Sequence, residues 1–216
     1  MINYSENNVI TLIGKIVSER RFSHEVYGEG FYIFDLEVPR LSDNSDIIPV
    51  TVSERILTDE YQIGTKIKVD GQFRSYNNYE NEKNKLVLTV FVKDLSIATE
   101  EDEESNPNEI ILNGFICKKP IYRTTPFGRE ISDILLAVNR AYNKSDYIPC
   151  IAWGRNARYC QNLEVGENIK IWGRIQSRQY EKKFEDGTSE IRRAYEVSVC
   201  KMETSKNEKE IRVNEA

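Results

Sequence analysis

Aromatic and arginine side chains occur together in one stretch of the chain, residues 146–180. Aromatic rings stack on the flat faces of bases, and guanidinium groups bind phosphate oxygens. Side chains of these two kinds, close together on one surface, are typical of a platform for single-stranded nucleic acid. The residues of the stretch that could form one are Tyr147, Trp153, Arg155, Arg158, Trp172, Arg174, Arg178 and Tyr180.

The local pattern of this stretch predicts a strand, a short helix and a second strand. Apolar residues alternate around Ile148, Cys150 and Ala152, which puts Tyr147 and Trp153 on the opposite face. The segment 156–163 between the two runs contains neither Gly nor Pro and begins with Asn156, a good N-cap, so we expect a short helix there.

The sequence contains no arrangement of residues that would make an enzyme. It has no Walker A, GxGxxG, HExxH or GxSxG motif, and its single histidine, His24, has no metal-ligand partner at suitable spacing. The four cysteines form no CxxC pair and are expected to be buried or half-buried thiols. Asp43 and Asp46 are interpreted as solvated loop residues. We therefore expect no catalysis, no cofactor and no metal; a metal-dependent nuclease remains a minor alternative.

Charge is distributed unevenly along the chain, whose net charge is −5. Residues 1–106 contain 11 Lys and Arg against 20 Asp and Glu, whereas residues 107–216 contain 19 against 15. The positive field therefore belongs to the second part of the chain, and such asymmetry points to a nucleic-acid partner.

The sequence repeats itself. Asn8, Leu12 and Gly14 match Asn108, Leu112 and Gly114 at an offset of 100, which becomes 102 after the predicted helix and about 107 near the end of each repeat. Because the offset changes only at loops, the pattern indicates a duplicated domain.

Each repeat reads as five strands with a helical segment between the third and fourth. This order predicts an all-β protein made of two tandem five-stranded OB-fold barrels; another kind of small β-barrel is the alternative. Gly14 and Gly114 lie in the middle of the first strands, 9–22 and 109–122, where glycine lets a strand bend. The predicted domains are residues 1–99 and 108–202, joined by an acidic linker, 100–107, and followed by a polar disordered tail, 203–216.

Several blocks of the second repeat resemble bacterial single-stranded DNA-binding proteins. The resemblance extends over about residues 108–202 and, more faintly, over the first repeat. Many members of that family end in an acidic tip closing on Pro-Phe, which recruits replication and repair proteins, whereas this sequence ends in residues 210–216 without it. The blocks that carry the resemblance are 108–114, 146–150, 153–155, 165–167 and 173–175.

The resemblance also implies particular binding residues. Its base-stacking positions fall on Tyr142, Tyr147, Trp153 and Tyr180. The expected phosphate-binding residues are Arg123, Arg140, Arg155, Arg158, Arg174 and Arg178. Strand alternation alone leaves open whether Trp153 is a platform or a core residue, and it favours the core for Trp172, which lies among isoleucines.

The first repeat lacks most of these aromatic residues. Its residues at the positions that match Tyr142, Tyr147 and Trp153 are Ser42, Ile47 and Ser53. We therefore expect weak binding there, or a role in pairing and spacing.

The predicted function is sequence-tolerant binding of single-stranded DNA in replication, recombination or repair. The alternatives are a protein-interaction module of the replication machinery and a binder of single-stranded RNA. The resemblance implies a homodimer, because the family commonly assembles four OB-folds with one in each chain. Replication or repair proteins are possible further partners. The polar start of the chain and the lack of a long apolar run predict a cytoplasmic protein without a membrane partner.

Overall fold

The computed structural model describes residues 6–204 except for positions 41, 43, 81, 82, 185 and 186. Its architecture is all-β, as predicted, and each repeat contributes strands of similar length in the same order. The first repeat contains β1 (Asn8–Ile16), β2 (Arg21–Val26), β3 (Glu29–Pro39), β4 (Ser45–Ser53), β5 (Lys66–Glu80) and β6 (Lys83–Ile97). The second contains β7 (Asn108–Ile116), β8 (Ile121–Thr124), β9 (Glu130–Arg140), β10 (Lys144–Trp153), β11 (Asn168–Lys183) and β12 (Ser189–Thr204).

Five strands of each repeat close into a barrel. In the first repeat β1 pairs with β3, β3 with β4, β4 with β6 in parallel, β6 with β5, and β5 again with β1. The second repeat closes in the same way through β7, β9, β10, β12 and β11. This closed order of strands with one parallel pair has no free edge within the barrel.

The first predicted strand of each repeat is divided into two. β1 ends at Ile16 and a separate strand, β2, pairs with β3 outside the barrel; β7 and β8 repeat this arrangement. At Gly14 the barrel wall is very close, because a Cβ there would contact the Glu37 carbonyl oxygen of β3. Within the barrels the register shifts lie elsewhere, before Gly71 where β5 pairs with β6 and before Gly173 where β11 pairs with β12. Gly14 therefore permits close packing, and the extra residues of the bulges, Lys93 and Cys200, lie on the fifth barrel strands, β6 and β12.

The helical segments between the third and fourth barrel strands differ between the repeats. The second repeat has α2 (Arg155–Cys160), which buries Ala157 and Cys160 against the barrel. The first repeat has only a 3-10 turn at Glu54–Ile56, with no buried residue. The helical segment expected between the third and fourth strands of the first repeat is therefore reduced to this turn.

The core of each barrel consists of the inward residues of alternating strands, as periodicity predicts. Phe34, Phe73 and Leu36 are fully buried in the first repeat, and Leu136 and Ile171 in the second. The outward positions of the same strands are left for binding and for contact between the repeats.

The two repeats are joined by a continuous sheet. β1 pairs antiparallel with β7, with Ile10 opposite Ile110, so the first strands of the two barrels are hydrogen-bonded neighbours. Asp46 and Asp146, both fully buried, reinforce the junction because each accepts hydrogen bonds from the opposite repeat. The interpretation of Asp46 as a solvated loop residue was wrong, since it lies in β4 at this junction; Asp43 lies outside the described residues.

The acidic linker contains a helical turn, α1 (Glu100–Glu103), whose N-terminus is closed by a capping box between Thr99 and Asp102. Lys68 Nζ of β5 contacts Asp102 Oδ1 at 2.8 Å. At the other end, β12 continues to Thr204, and residues 205–216 of the expected disordered tail lie outside the described residues. No helix in the part of the chain described here has the length and apolar character needed to cross a membrane.

Candidate nucleic-acid interface

Trp153 ends β10 on the outer face of the second barrel. Its side chain is 37% exposed, and its indole N–H donates a hydrogen bond to Ser198 Oγ of β12 at 3.2 Å. On the other side Trp153 pairs in register with Ile131 of β9. The ring therefore lies across neighbouring strands with part of its surface exposed to solvent, which is the geometry of a stacking surface.

The predicted tyrosines occupy other parts of the same repeat and are all exposed. Tyr147 shares the outward face of β10 with Trp153, about 20 Å away at the strand rise per residue. Tyr142 lies in the turn before β10 with φ 60° and is 93% exposed. Tyr180 lies on β11, where the Arg178 guanidinium carbon is 5.8 Å from its ring centroid. The aromatic residues thus lie along a path rather than in one cluster.

Three of the predicted arginines are exposed and paired with carboxylates on the same surface. The pairs are weak in stability terms because water screens them, but each carboxylate also competes with a phosphate for its arginine. Pairing therefore lowers the electrostatic attraction that the arginine count suggests. The pairs are Arg123–Asp133 at 2.8 Å, Arg158–Glu130 at 3.5 Å and Arg178–Glu196 at 4.0 Å.

Arg155 is the first residue of α2 and is exposed, with no ion pair to any other residue in the described ranges. The N-cap of this helix is Gly154, with φ 53° and ψ −118°, and not Asn156 as expected. Asn156 instead donates its side-chain N–H to the Cys200 carbonyl oxygen at 3.3 Å. Gly154 makes the turn between Trp153 and Arg155, and its positive φ is a conformation that glycine adopts without strain. The turn places Arg155 at the start of α2, directly after Trp153.

Arg140 and Arg174 lie apart from the other predicted arginines, at the junction between the repeats. Arg174 NH1 is 3.5 Å from Asp46 Oδ2, and Arg140 Nε is 3.2 Å from Asp146 Oδ2. Burial raises the pKa of the Asp146 carboxyl, and the Ser75 N–H and the nearby arginine charges oppose that rise. These two arginines lie beside buried carboxylates, whereas the carboxylate partners of the surface arginines are accessible to water.

The register places the remaining residues in a compact group around Trp153. Arg123 of β8 pairs with Ile131 of β9, which in turn pairs with Trp153 of β10. Arg155 follows Trp153 on α2, and Arg158 of the same helix reaches Glu130, the first residue of β9. An aromatic ring with arginines on the neighbouring elements β8 and α2 is therefore the centre of the candidate interface.

Trp172 is not a core residue, so the expectation from its isoleucine neighbours was wrong. In β11, Ile169 and Ile171 point into the barrel and belong to its core. Trp172, the next residue, projects outward and is half-buried. The ammonium groups of Lys170 and Lys201 lie 4.9 and 4.5 Å from its ring centroid. Adjacent residues of a strand face opposite sides, and the sequence window was too apolar to reveal this.

The first repeat holds an aromatic and arginine cluster that sequence comparison missed. The His24 ring stacks on Phe31 at 4.9 Å, Phe31 lies 5.7 Å from Phe91, and the Arg74 guanidinium carbon is 3.8 Å from the Phe91 centroid. The cluster is not visible when each stacking position of the second repeat is matched to its counterpart in the first. Its aromatic residues lie instead on the strands next to those positions.

The cysteines do not form a reactive centre. Burial raises the pKa of the Cys150 thiol, and it raises the pKa of the Cys160 thiol to about 11. Cys117 is half-buried and Cys200 is exposed, so the expectation of buried or half-buried thiols fails for Cys200. Within the described ranges, no group of three or more His, Cys, Asp or Glu side chains is arranged to hold a metal ion.

Known proteins share both the sequence of the second repeat and the overall fold. The profile of the Single-strand binding protein family matches residues 107–205. "Single-stranded DNA-binding protein" of Clostridium tetani is 39% identical over 88 residues, which cover 38% of this chain and 59% of the relative. "Single-stranded DNA-binding protein B" of Bacillus subtilis is 34% identical over 84 residues, 34% of this chain and 72% of the relative.

The similarity of fold extends over nearly the whole chain. The wild-type single-stranded DNA-binding protein of Thermus aquaticus superposes with a TM-score of 0.73 at 19% identity, over 91% of this chain and 92% of that one. The sequence matches are shorter, and this chain spans only 59% and 48% of the length of the first curated relatives it matches. With a 34% identical relative covered over 72% of its length, the chain belongs to the single-strand binding protein family.

Proposed function

We propose that this protein binds single-stranded DNA without strong sequence preference and serves DNA replication, recombination or repair. It binds at equilibrium, protects the strand and removes hairpins, with no covalent step. Family membership and the names of the relatives support DNA as the partner. We take the predicted domains, 1–99 and 108–202 with the linker 100–107, as the units of this function.

The observation that carries the proposal is the environment of Trp153. The ring is partly exposed at the end of β10 and held by its hydrogen bond to Ser198. Arg123 lies two strands away, about 10 Å at normal strand spacing, and Arg155 follows on α2. A base can stack on the fixed ring while phosphates on either side meet guanidinium groups.

The exposed tyrosines extend this surface along the barrel. Tyr147 is 48% exposed and Tyr180 is 39% exposed, so both can stack on bases farther along a strand. Stacking and phosphate contacts carry little sequence information, since every base has a flat face and every nucleotide a phosphate. Sequence tolerance follows from contacts of this kind.

The experiment uses the intrinsic fluorescence of the two tryptophans, separated by substitution. In Trp172→Phe the signal comes from Trp153 alone, and in Trp153→Phe it comes from Trp172 alone. We expect oligomers of dT to quench Trp172→Phe strongly and Trp153→Phe weakly, because stacking quenches the ring in contact with a base. Equal, weak quenching of both variants at saturating binding would contradict the proposed interface.

The same titration decides between nucleic acids. Oligomers of dT, dA and rU at two salt concentrations compare base identity and sugar directly, because affinities are meaningful only at stated salt. We expect dT and dA to bind within about tenfold of each other. Tighter binding of rU than of dT would favour a single-stranded RNA binder, and no binding of any oligomer would favour a protein-interaction module.

We also assign the protein a homodimeric assembly, with the first repeat as the contact surface, since two repeats in each chain would then give four barrels. Light scattering at micromolar concentration tests it against the mass of one chain, 25.1 kDa. A monomer with undiminished DNA binding would contradict the dimer and leave the binding proposal intact.

A further inference from the structure

The first repeat was expected to bind weakly because it lacks the aromatic residues of the second. The register of the strands shows where its aromatic surface lies instead. Ser53 ends β4 at the position that Trp153 has in β10, and Ser53 pairs with Phe31 just as Trp153 pairs with Ile131. An aromatic residue therefore stands on the neighbouring strand, one position away from the lost tryptophan.

The residue on the other neighbour of β4 also differs in type between the repeats. Thr51 of β4 pairs in parallel with Phe91 of β6, and Ile151 of β10 pairs in parallel with Ser198 of β12. Phe91 thus occupies the place of Ser198, the residue beneath the Trp153 ring. Phe31 is buried and lies 5.7 Å from the half-buried Phe91, and the exposed His24 ring stacks on Phe31. The outer face of the first barrel therefore keeps aromatic rings, supplied by different strands.

Positive charge accompanies this surface. The Arg74 guanidinium lies over Phe91, and the side chain of Arg140 from the second repeat lines the same cavity. Asp146, fully buried, lies 3.2 Å from Arg140, and the charges of both arginines oppose the rise that burial causes in the pKa of its carboxyl. Burial lowers the pKa of Arg74, and the charge of Arg140 lowers it further.

The hydrogen-bonding capacity of the Arg140 side chain is also incompletely used. Its Nε atom is buried and, within the described residues, donates no hydrogen bond of good geometry, although Asp146 is 3.2 Å away. Its counterpart Arg40, by contrast, makes hydrogen bonds of 2.8 and 2.6 Å to Asp46. Two arginines beside one carboxylate leave an excess positive charge that an anion can neutralise.

The cavity between these groups has a volume of about 440 Å³, within the usual range of ligand pockets. The residues that line it include His24 and Phe91, with their rings, and Arg74 and Arg140, with their guanidinium groups. Thr51 and Thr89 close its floor, buried and hydrogen-bonded to each other at 2.9 Å. Aromatic faces and cations in one open pocket fit a nucleotide, which has a base and a phosphate.

We propose that this cavity is a second nucleotide site, which holds one phosphate between Arg74 and Arg140 and a base against His24 and Phe91. It rests on the proposed function, because its ligand is a nucleotide of the same bound strand. Since Arg140 belongs to the second repeat, the strand passes from the second barrel onto the first at this point. The first repeat then binds DNA with its own residues and is more than a spacer.

The first test replaces Arg74 by Gln, the residue that the second repeat carries at the equivalent position, Gln176. Lys15→Gln is the matched control: it removes one positive charge from an exposed residue outside the cavity. For a dT oligomer long enough to cover both barrels, we expect Arg74→Gln to weaken binding about tenfold. Its slope of log K against log salt should also be about 0.7 less steep, whereas Lys15→Gln should behave as the unmodified protein.

The second test needs no substitution, because His24 is the single histidine of the chain and its ring resonances are unique in an NMR spectrum. Its ring is exposed and stacked on Phe31, so a base entering the cavity must change its ring-current environment. We expect the His24 resonance to shift on addition of the oligomer, in proportion to the quenching of Trp153.

The outcomes separate the two proposals. If Trp153 is quenched but the His24 resonance does not move, or if Arg74→Gln binds as tightly as Lys15→Gln, the second site is overturned and the proposed function stands. If neither Trp153 nor His24 responds to any oligomer, the proposed function itself fails. A lowered thermal midpoint of Arg74→Gln with unchanged affinity makes Arg74 a purely structural residue, which also overturns the site.

Discussion

Ser75 donates its backbone N–H to the buried Asp146 of the other repeat at 2.7 Å, and its hydroxyl oxygen accepts the N–H of Tyr147 at 2.7 Å. The counterpart of this exchange is equally short, since the Ser177 N–H donates to Asp46 at 2.6 Å. The two repeats thus hold each other through the same contact made twice, in addition to the pairing of β1 with β7.

Replacing Asp146 by Ala should destabilise the whole protein by about 3 kcal/mol, because it leaves the Ser75 N–H and a partly buried arginine without their acceptor. Urea unfolding measures the loss. Asp133→Asn is the control, because it breaks the surface pair with Arg123 and should cost only about 0–1 kcal/mol. Equal, small losses for the two variants would contradict a structural role of the junction.

The pH dependence of the linker turn follows from Asp102. The Lys68 ammonium, followed by the Thr99 backbone and hydroxyl, lowers the pKa of this carboxyl to about 2. Because the folded pKa is below the ordinary value, the contribution to stability is present above about pH 3.9 and disappears as the pH falls towards 2. An NMR titration of the carboxyl carbon checks this, and Lys68→Gln should return the pKa towards its ordinary value.

Replacing Trp153 by Ala should cost about 1–3 kcal/mol of binding free energy, the usual contribution of one stacked base. Stability should fall less than the about 3–5 kcal/mol lost with a buried tryptophan, because the ring is partly exposed and lies outside the core cluster. Thermal midpoint and oligonucleotide affinity are measured on the same variant. A large fall in midpoint with unchanged affinity would return Trp153 to the core.

Salt dependence reports how many phosphates the surface neutralises. With Arg123, Arg155, Arg158 and Arg178 as contacts, the slope of log K against log salt should be about −3, from about −0.7 per phosphate on a single strand. Arg155→Gln should make the slope less steep by about 0.7, because Arg155 has no competing carboxylate in the described residues. Binding with a slope near zero would contradict the electrostatic contribution.

Removing a competing carboxylate should have the opposite effect. Glu196 lies 4.0 Å from Arg178 and accepts a hydrogen bond from Gln176 at 2.7 Å. Glu196→Gln keeps a side chain of the same shape but releases Arg178 for phosphate, so affinity should rise about two- to fivefold at low salt. An affinity that does not change would mean that the strand does not pass over this part of β11 and β12.

Much of the architecture could be predicted from the sequence because it depends on local patterns. Alternation of apolar residues located the barrel strands, and the offsets of 100, 102 and 107 revealed the duplication. Trp153 was placed at the end of its strand by the Gly154 that follows it. Helix content was predicted less well, because the N-cap at Gly154 depends on a backbone conformation that composition does not reveal.

Other features were decided only by tertiary structure. The roles of Asp46 and Asp146 depend on contacts across 131 and 71 residues of sequence, and no local window contains both partners. The direction of Trp172 depends on which face of β11 lines the interior of the second barrel.

The amino-acid sequence alone determined the two barrels, the basic second repeat and the outward face of Trp153 and Tyr147, because hydrophobic periodicity and charge are properties of neighbouring residues. Only the tertiary structure decided that Phe31 and Phe91 lie beside Arg74, and that Arg140 reaches the first repeat. Such contacts depend on the register between strands distant in sequence, and the closing of each barrel sets that register.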